Sequence, residues 1–384
     1  MLTDFPPEIL DQIWMLCDRK SLRSISLCST RCYNLVGHIL FRNIEISWQE
    51  VNKARKVSQD PLKFARCLKF SESERRRSIE WKNISQDFQM VISYCDSSRL
   101  RELTIVDKVV YRRDLVTIFD TLINLKTIEL SCSRDIRNGL ITLPSKSFST
   151  FEDLQKLSLS HCHFSYTTLS NVFGLAELEI MDSVVPSDAM IDNISQIKDL
   201  RKLTLIRIKV QSTKKRSTIL IPLAKLVGLT SLEHLNITDS AISSEEDLVT
   251  LMKSLTSLKA LIVSGIKLTL SIDVFCCLPS LHDLGMRNCD LSHFQLSSIS
   301  KLKSLRSLDV SENERLTDIG LGYIGQLVSL EHLNIRGTRY SNHGPGLLTS
   351  LVLLKTLVMN SWANPITAKH LENIPSLQNM YDSS

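Results

Sequence analysis

Apolar residues recur along the chain in one six-residue phrase: a leucine, two variable positions, an apolar residue, one variable position, and a last apolar residue. It reads LRELTI from Leu100, LKTIEL from Leu125, LQKLSL from Leu154, LAELEI from Leu175, LRKLTL from Leu200 and LEHLNI from Leu232. It continues as LKALIV from Leu258, LHDLGM from Leu281, LRSLDV from Leu305, LEHLNI from Leu330, LKTLVM from Leu354 and a partial LQNM from Leu377. Twelve starts spread over 277 residues leave eleven intervals averaging about 25. Leucines three apart would also suit one face of a helix, but the third apolar residue falls two beyond the second. That alternation belongs to a short strand with one buried face. Helical phrasing lies between the strands. It is clearest where Ser243 and Glu246 can form a capping box ahead of DLVTLMKSL, and where Thr317 and Asp318 open a helix. Each unit predicts strand, turn, helix and return.

One such unit cannot bury both its strand leucines and its helix stripe, so units must stack and share a core. From about residue 41 to the end the chain resembles the leucine-rich-repeat family. The resemblance implies an α/β solenoid with a curved parallel sheet inside and helices outside, in about 12 to 14 repeats. The period is irregular near 71–99 and 207–218. In that family the position three beyond the last apolar residue of the phrase is often Asn or Cys, bonding the backbone of the turn. Cys162, Cys289 and Asn313 fit it, and Ser183, Ser240 and Thr338 are smaller substitutes; Ile208, Ile266 and Trp362 do not, which predicts irregular turns there.

Twelve strands side by side at about 4.8 Å make a face roughly 50 Å long, which suits a protein partner better than a small molecule. Thr104, Glu129, Glu179, Asn236, Asp309 and Asn334 face that surface, with Arg207, Arg287 and Arg336 where the strands end. The candidate contacts to a protein substrate are Arg207, Asn236, Arg287, Asp309, Asn334 and Arg336. Both signs of charge are present, which argues against a cradle for a phosphate backbone.

The first 46 residues are phrased differently, with apolar residues at Ile9, Leu10, Ile13 and Leu16, then Leu22, Ile25 and Leu35, at helical spacings. Pro6 and Pro7 suit a helix start and Ser21 can cap the next helix. Read from periodicity alone, this is a helical cap over the open end of a repeat array. The run Phe5-Pro6-Pro7-Glu8-Ile9-Leu10, then Ile13, Ser21-Leu22-Arg23, Leu27-Cys28 and Leu40-Phe41-Arg42, resembles an F-box, with Phe5 in place of the usual leucine. An F-box followed by leucine-rich repeats is similar to the substrate receptors of Skp–cullin–F-box ubiquitin ligases. The resemblance implies an all-α F-box over 1–46 and repeats over 47–384. It also implies a Skp-family adaptor, and through it cullin, held by Phe5, Pro6, Ile9, Leu10, Ile13, Leu22 and Ile25.

Composition adds exclusions. The 384 residues are 43% hydrophobic and 23% charged, as in a chain that buries a core. Sixty are leucine, which is what the repeat demands. A net charge of +5 is too thin to imply nucleic acid or an anionic membrane. The N-terminus has neither the basic nor the apolar region of a secretory signal, and no run reaches the roughly 18 apolar residues of a membrane span. Ten cysteines without a C-x-x-C pair then read as reduced thiols, in cytosol or nucleus. His161-Cys162-His163 has no further ligands near it in sequence. No phosphate loop, nucleophile elbow or zinc-protease helix is present. The expectation is a receptor that is not an enzyme and takes no cofactor. A stand-alone repeat scaffold and a nucleic-acid-associated repeat protein are the alternatives.

Overall fold

A computed structural model describes residues 22–23, 40–47, 59–71, 84–106, 112–131, 141–143, 148–165, 167–170, 172–185, 189–211, 218–268, 273–360 and 369–382. The chain divides into two compact units, Met1–Gly174 and Leu175–Ser384.

In the first unit, strands β1 (Asn43–Ser47), β2 (Cys67–Ser71), β3 (Glu102–Val106), β4 (Thr127–Ser131) and β6 (Lys156–Ser160) pair in parallel, in that order. The register stacks like on like: Ile44, Leu68, Leu103, Ile128 and Leu157 form one row across the five strands. Because side chains alternate across a strand, the second row, Ile46, Phe70, Ile105, Leu130 and Leu159, is buried beneath the same face. β1 and β2 precede the first full leucine phrase; Phe41 and Ala65 stand where later rungs have their first leucine. The sheet begins at Asn43, so it takes up residues on both sides of position 46.

The opposite layer is closed by helices Ile84–Ser93 and Arg112–Thr121, which bury Phe88, Val91 and Ile92, and Leu115, Ile118 and Phe119. Phe88 meets Phe70 edge-on at 4.8 Å between ring centroids, and Phe119 contacts Phe148 and Phe151. Edge contacts of this kind add about 0.5–1.5 kcal/mol beyond the area they bury. A second, shorter pair, β5 (Ile141–Thr142) with β7 (Cys162–His163), follows the turns.

The second unit repeats the plan. Its ladder is β8 (Glu177–Met181), β10 (Lys202–Ile206), β13 (His234–Asn236), β14 (Ala260–Ile262), β15 (Asp283–Gly285), β16 (Ser307–Asp309), β17 (His332–Asn334), β18 (Thr356–Met359) and β19 (Asn379–Asp382), all parallel. Leu178, Leu203, Leu235, Leu261, Leu284, Leu308, Leu333 and Leu357 form its buried row. The long interval from Leu200 to Leu232 is explained by β11 (Lys209–Gln211), which pairs with β9 (Val184–Val185), and by β12 (Thr218–Ile219), which runs antiparallel to β11. The insertion carries its own strand pair; its residues 212–217 lie outside the described residues, as do Arg75, Arg76 and Arg77.

The return limbs differ from the uniform helix predicted by the sequence. The 26-residue interval from Leu232 holds a ten-residue helix, Glu245–Ser254, whereas the described residues of the 23-residue interval from Leu258 hold a 3₁₀ turn, Asp273–Cys277. The unit from Leu330 is also 3₁₀, over Gly344–Leu348, where Gly344-Pro345-Gly346 is a poor α-helical start. The cap at Glu245 also shifts by one residue from the expected Ser243. Ser244 is extended and accepts from the Asp247 N–H, while the Ser243 hydroxyl donates to the Ile221 carbonyl at 2.8 Å. Thr317 does precede the helix Asp318–Ile324.

Turn chemistry is more regular than the sequence suggested. In each interval starting from Leu154 to Leu330, the residue seven beyond the first leucine is left-handed: His161, Asp182, Arg207, Asp239, Gly265, Asn288, Glu312 and Gly337. The turns at Ile208 and Ile266 are therefore not irregular. Arg207 and Gly265 take the left-handed step with φ 50° and 76°, and the isoleucines fill the apolar seat behind it, 3% and 6% exposed. Trp362 lies outside the described residues.

Asn313 shows what the polar seat does. Its amide donates to the carbonyls of Met286, Val310 and Ser311, and its oxygen accepts from the N–H groups of Cys289 and Leu291. Ser240 does a smaller version, donating to the Leu205 carbonyl at 2.7 Å and accepting from Ile208 N–H. Cys162, Ser183, Cys289 and Thr338 each donate to a carbonyl of their own turn. The fold is an α/β leucine-rich-repeat solenoid, in which Cys162, Ser183, Ser240, Cys289, Asn313 and Thr338 are hydrogen-bonded in the turns and the strand leucines are buried.

Candidate functional site

The side of the strands not covered by helices carries the polar residues of the phrase, Asn236, Asp309 and Asn334 among them, while Arg207, Arg287 and Arg336 lie within two residues of the ends of β10, β15 and β17. Their roles divide. Asn236, Asp309 and Asn334 occupy the same place in three rungs, and each spends its side-chain oxygen on the backbone two residues on. Asn236 accepts from Thr238 N–H at 3.0 Å, Asp309 from Ser311 N–H at 2.9 Å, and Asn334 from Arg336 N–H at 3.2 Å. These are turn-forming contacts that a polar side chain makes with its own backbone. Arg207 is pinned by a two-pronged pair with Asp182, both distances 2.6 Å. Arg287 and Arg336 each approach Glu312 at 4.0 Å, so the two arginines share one carboxylate. The structure thus gathers Arg287 and Arg336 about Glu312, and places Asp309 beside Asn334 on adjacent strands. His234 and His332 are exposed on the same face.

Of the adaptor candidates, Leu22 is buried within the chain, as is Leu40. Phe5, Pro6, Ile9, Leu10, Ile13 and Ile25 lie outside the described residues, with Cys28 and Cys32.

A further feature sits just before each strand. The residue just after the first apolar position of the rung is Arg42, Arg66, Arg101 and Lys126, each one residue before β1 to β4. Their backbones are consecutive in the sheet: Arg66 N–H donates to the Arg42 carbonyl, Arg101 N–H to that of Arg66, and Lys126 N–H to that of Arg101, at 2.9, 2.8 and 2.7 Å. Among the described residues, none of these four cations has a carboxylate partner. Arg101 does donate from its guanidinium to the adjacent Leu100 carbonyl. The acids nearby are engaged elsewhere. Glu45 pairs with Lys69 at 3.1 Å and accepts from the Ser71 hydroxyl at 2.6 Å; that hydroxyl first, and Lys69 second, hold its carboxyl below the usual range. Glu129 pairs with Lys156 at 2.6 Å.

In the second unit the same position alternates in sign. Glu233 lies 3.5 Å from Arg201 and 2.6 Å from Lys259; Glu331 lies 3.7 Å from Arg306 and 2.5 Å from Lys355. The lysine contact is the leading reason that each glutamate's carboxyl is held below its usual range.

Beside the first unit's column, Asn43, Ile44, Glu45, Cys67, Leu68, Lys69, Glu102 and Thr104 line a cleft of about 540 Å³. Burial, and then a contact to Glu102, push the Cys67 thiol up to about 11, so it is a neutral thiol at physiological pH. The described cysteines are free, and no three His, Cys, Asp or Glu among the described residues converge on a metal-sized site. Among them, too, no helix is long and apolar enough to cross a membrane.

No protein-family model matches the chain, and no curated protein matches it. Similar solved structures include an internalin (inlF) from Listeria monocytogenes, 15% identical with a TM-score of 0.48 over 88% of this chain and 94% of that one. A leucine-rich-repeat protein of Leptospira interrogans is 16% identical with a TM-score of 0.46, over 88% and 95%. TLR13, from the TLR13–ssRNA13 complex, is 17% identical with a TM-score of 0.39, over 85% of this chain and 60% of that one.

Proposed function

We propose that this repeat scaffold is the substrate-recognition subunit of a Skp–cullin–F-box ubiquitin ligase. In this reading the N-terminal 46 residues hold the adaptor and the strand face holds a protein substrate. The observation that carries the reading is the order of segments. A run resembling an F-box ends at Leu40-Phe41-Arg42, and the first strand of the repeat sheet starts at the next residue, Asn43. An F-box of this length carrying Phe5, Ile9, Leu10, Ile13, Trp14 and Leu22 would have more apolar surface than it could enclose alone, and an adaptor would cover the remainder. The chain would then act by proximity, raising the effective concentration of substrate lysines at a chemical centre it does not itself contain. It would work in cytosol or nucleus, where its thiols stay reduced.

A second reading has its own support. Leu22 and Leu40 are buried, 3% and 4% exposed, as expected of a cap that seals the first rung of a stand-alone binding scaffold. Co-purification with a Skp-family adaptor separates the two. Replacing Pro6 and Ile9 by aspartate is expected to abolish adaptor capture while circular dichroism and the melting temperature stay those of the parent chain. If the parent chain never captures the adaptor, the scaffold reading stands in place of the ligase; if the doubly substituted chain still captures it, the assignment of adaptor docking to these residues falls.

A further inference from the structure

We propose that the column Arg42, Arg66, Arg101 and Lys126 binds an acidic stretch of a protein partner. This goes beyond the ligase reading, because it needs only the strand face of the first unit and not the N-terminal helices. Adjacent rungs lie about 4.8 Å apart, so the four cations span about 14 Å. Like charges on neighbouring strands oppose one another. The second unit avoids this at the same position by interposing Glu233 and Glu331. Nothing at that position does so among the described residues of the first unit; of the carboxylates on the strands beside it, Glu45 and Glu129 have lysine partners and Glu102 contacts the Cys67 thiol. The column is therefore a field directed outward, and its complement is a row of carboxylates.

An extended polypeptide rises about 3.3 Å per residue and returns to the same side every second residue, about 6.7 Å on. Three acidic residues at alternate positions cover the column, and the neighbouring cleft is large enough to seat a side chain between them. The chemistry of the face favours polypeptide over nucleic acid. An unbroken phosphate backbone would carry its charge past Glu102, where a peptide can place a neutral residue, and none of the outward residues of β1 to β4 is an aromatic on which bases could stack. A protein segment, by contrast, can offer acids to the column and hydroxyls or bases to the glutamates.

The test is fluorescence anisotropy on the full chain with a labelled eight-residue peptide alternating glutamate and serine, against a single-stranded oligonucleotide of equal charge. The peptide is expected to bind in 50 mM NaCl and to weaken steeply by 300 mM, since exposed charges are screened within about 10 Å at 0.1 M salt. Exposed ion pairs are worth up to about 1 kcal/mol each. Arg66→Gln should therefore weaken binding about threefold, and the four-fold glutamine variant of the column about a hundredfold. Glutamine at Arg201, Lys259, Arg306 and Lys355 should change it less than twofold. Equal losses from both sets, no loss from either, no binding of the peptide, or tighter binding of the oligonucleotide would each overturn the proposal. Should the four-fold variant fail to fold, Arg66→Gln and the salt dependence decide alone. Adaptor capture is measured on the same Arg66→Gln chain: the column can fail while the ligase reading holds, and the reverse.

Discussion

One position in the repeat, the residue that opens each strand, is used in two opposite ways in the two units. In Leu175–Ser384 it reads Ala176, Arg201, Glu233, Lys259, His282, Arg306, Glu331, Lys355 and Gln378, with both glutamates bridging cations on either side. In Met1–Gly174 it reads Arg42, Arg66, Arg101, Lys126 and Gln155, without an interposed acid. The same backbone ladder serves both, so geometry does not dictate the difference. Charges that pair across rungs act within the solenoid. Charges that do not pair cost stability, at most about 1 kcal/mol per neighbouring pair in water-like surroundings, and are available to something else. A repeat protein thus separates the surface that maintains its rungs from the surface that meets a partner by a choice at one position.

The comparison can be sharpened first where the effect is largest. Asn313→Ala removes five buried hydrogen bonds from the second unit and leaves backbone groups without partners. It should lower the stability of that unit by about 2–4 kcal/mol in urea unfolding, while affinity for the acidic peptide is retained at denaturant-free conditions. A loss below about 0.5 kcal/mol would mean that the turn ladder is not what holds these rungs. A smaller effect, of the opposite sign, is expected in the first unit. Arg66→Glu gives that column the alternating sign of the other, so stability should rise by about 0.5 kcal/mol and peptide affinity should fall at least tenfold. If stability falls instead, the column is part of the fold's own electrostatics and the contrast between units disappears.

How much of this was legible in the sequence follows from what the phrase encodes. Leucine, apolar, apolar at spacings of three and two specifies the strand, its buried face and its register, and Leu178 through Leu357 align as that spacing required. The polar seat was legible too, because Cys162, Cys289 and Asn313 are residues that can bond a turn. What escaped was the reason Ile208 and Ile266 work as well. The turn is set by the left-handed residue before the seat, and that conformation leaves no signature at Arg207 or Glu312. Helix length was overread, since the interval from one leucine to the next leaves room for ten helical residues after Ser244 but only a 3₁₀ turn before Cys277.

The site was half legible. Spacing placed Asn236, Asp309 and Asn334 on the strand face. Their i to i+2 bonds to the backbone depend on side-chain orientation, which spacing does not carry. The column was hidden for another reason. Arg42 and Arg66 belong to rungs that begin with Phe41 and Ala65, outside the leucine phrase, so the four cations share a row only once β1 and β2 are in register with β3.

Hydrogen–deuterium exchange of the full chain, with and without the glutamate–serine peptide, tests the contrast between the two units most directly. Slowed exchange confined to the strand-start segments at 42–47, 66–71, 101–106 and 126–131 is the predicted result. Protection of the segments from 201 to 356, or no protection anywhere at saturating peptide, would contradict it.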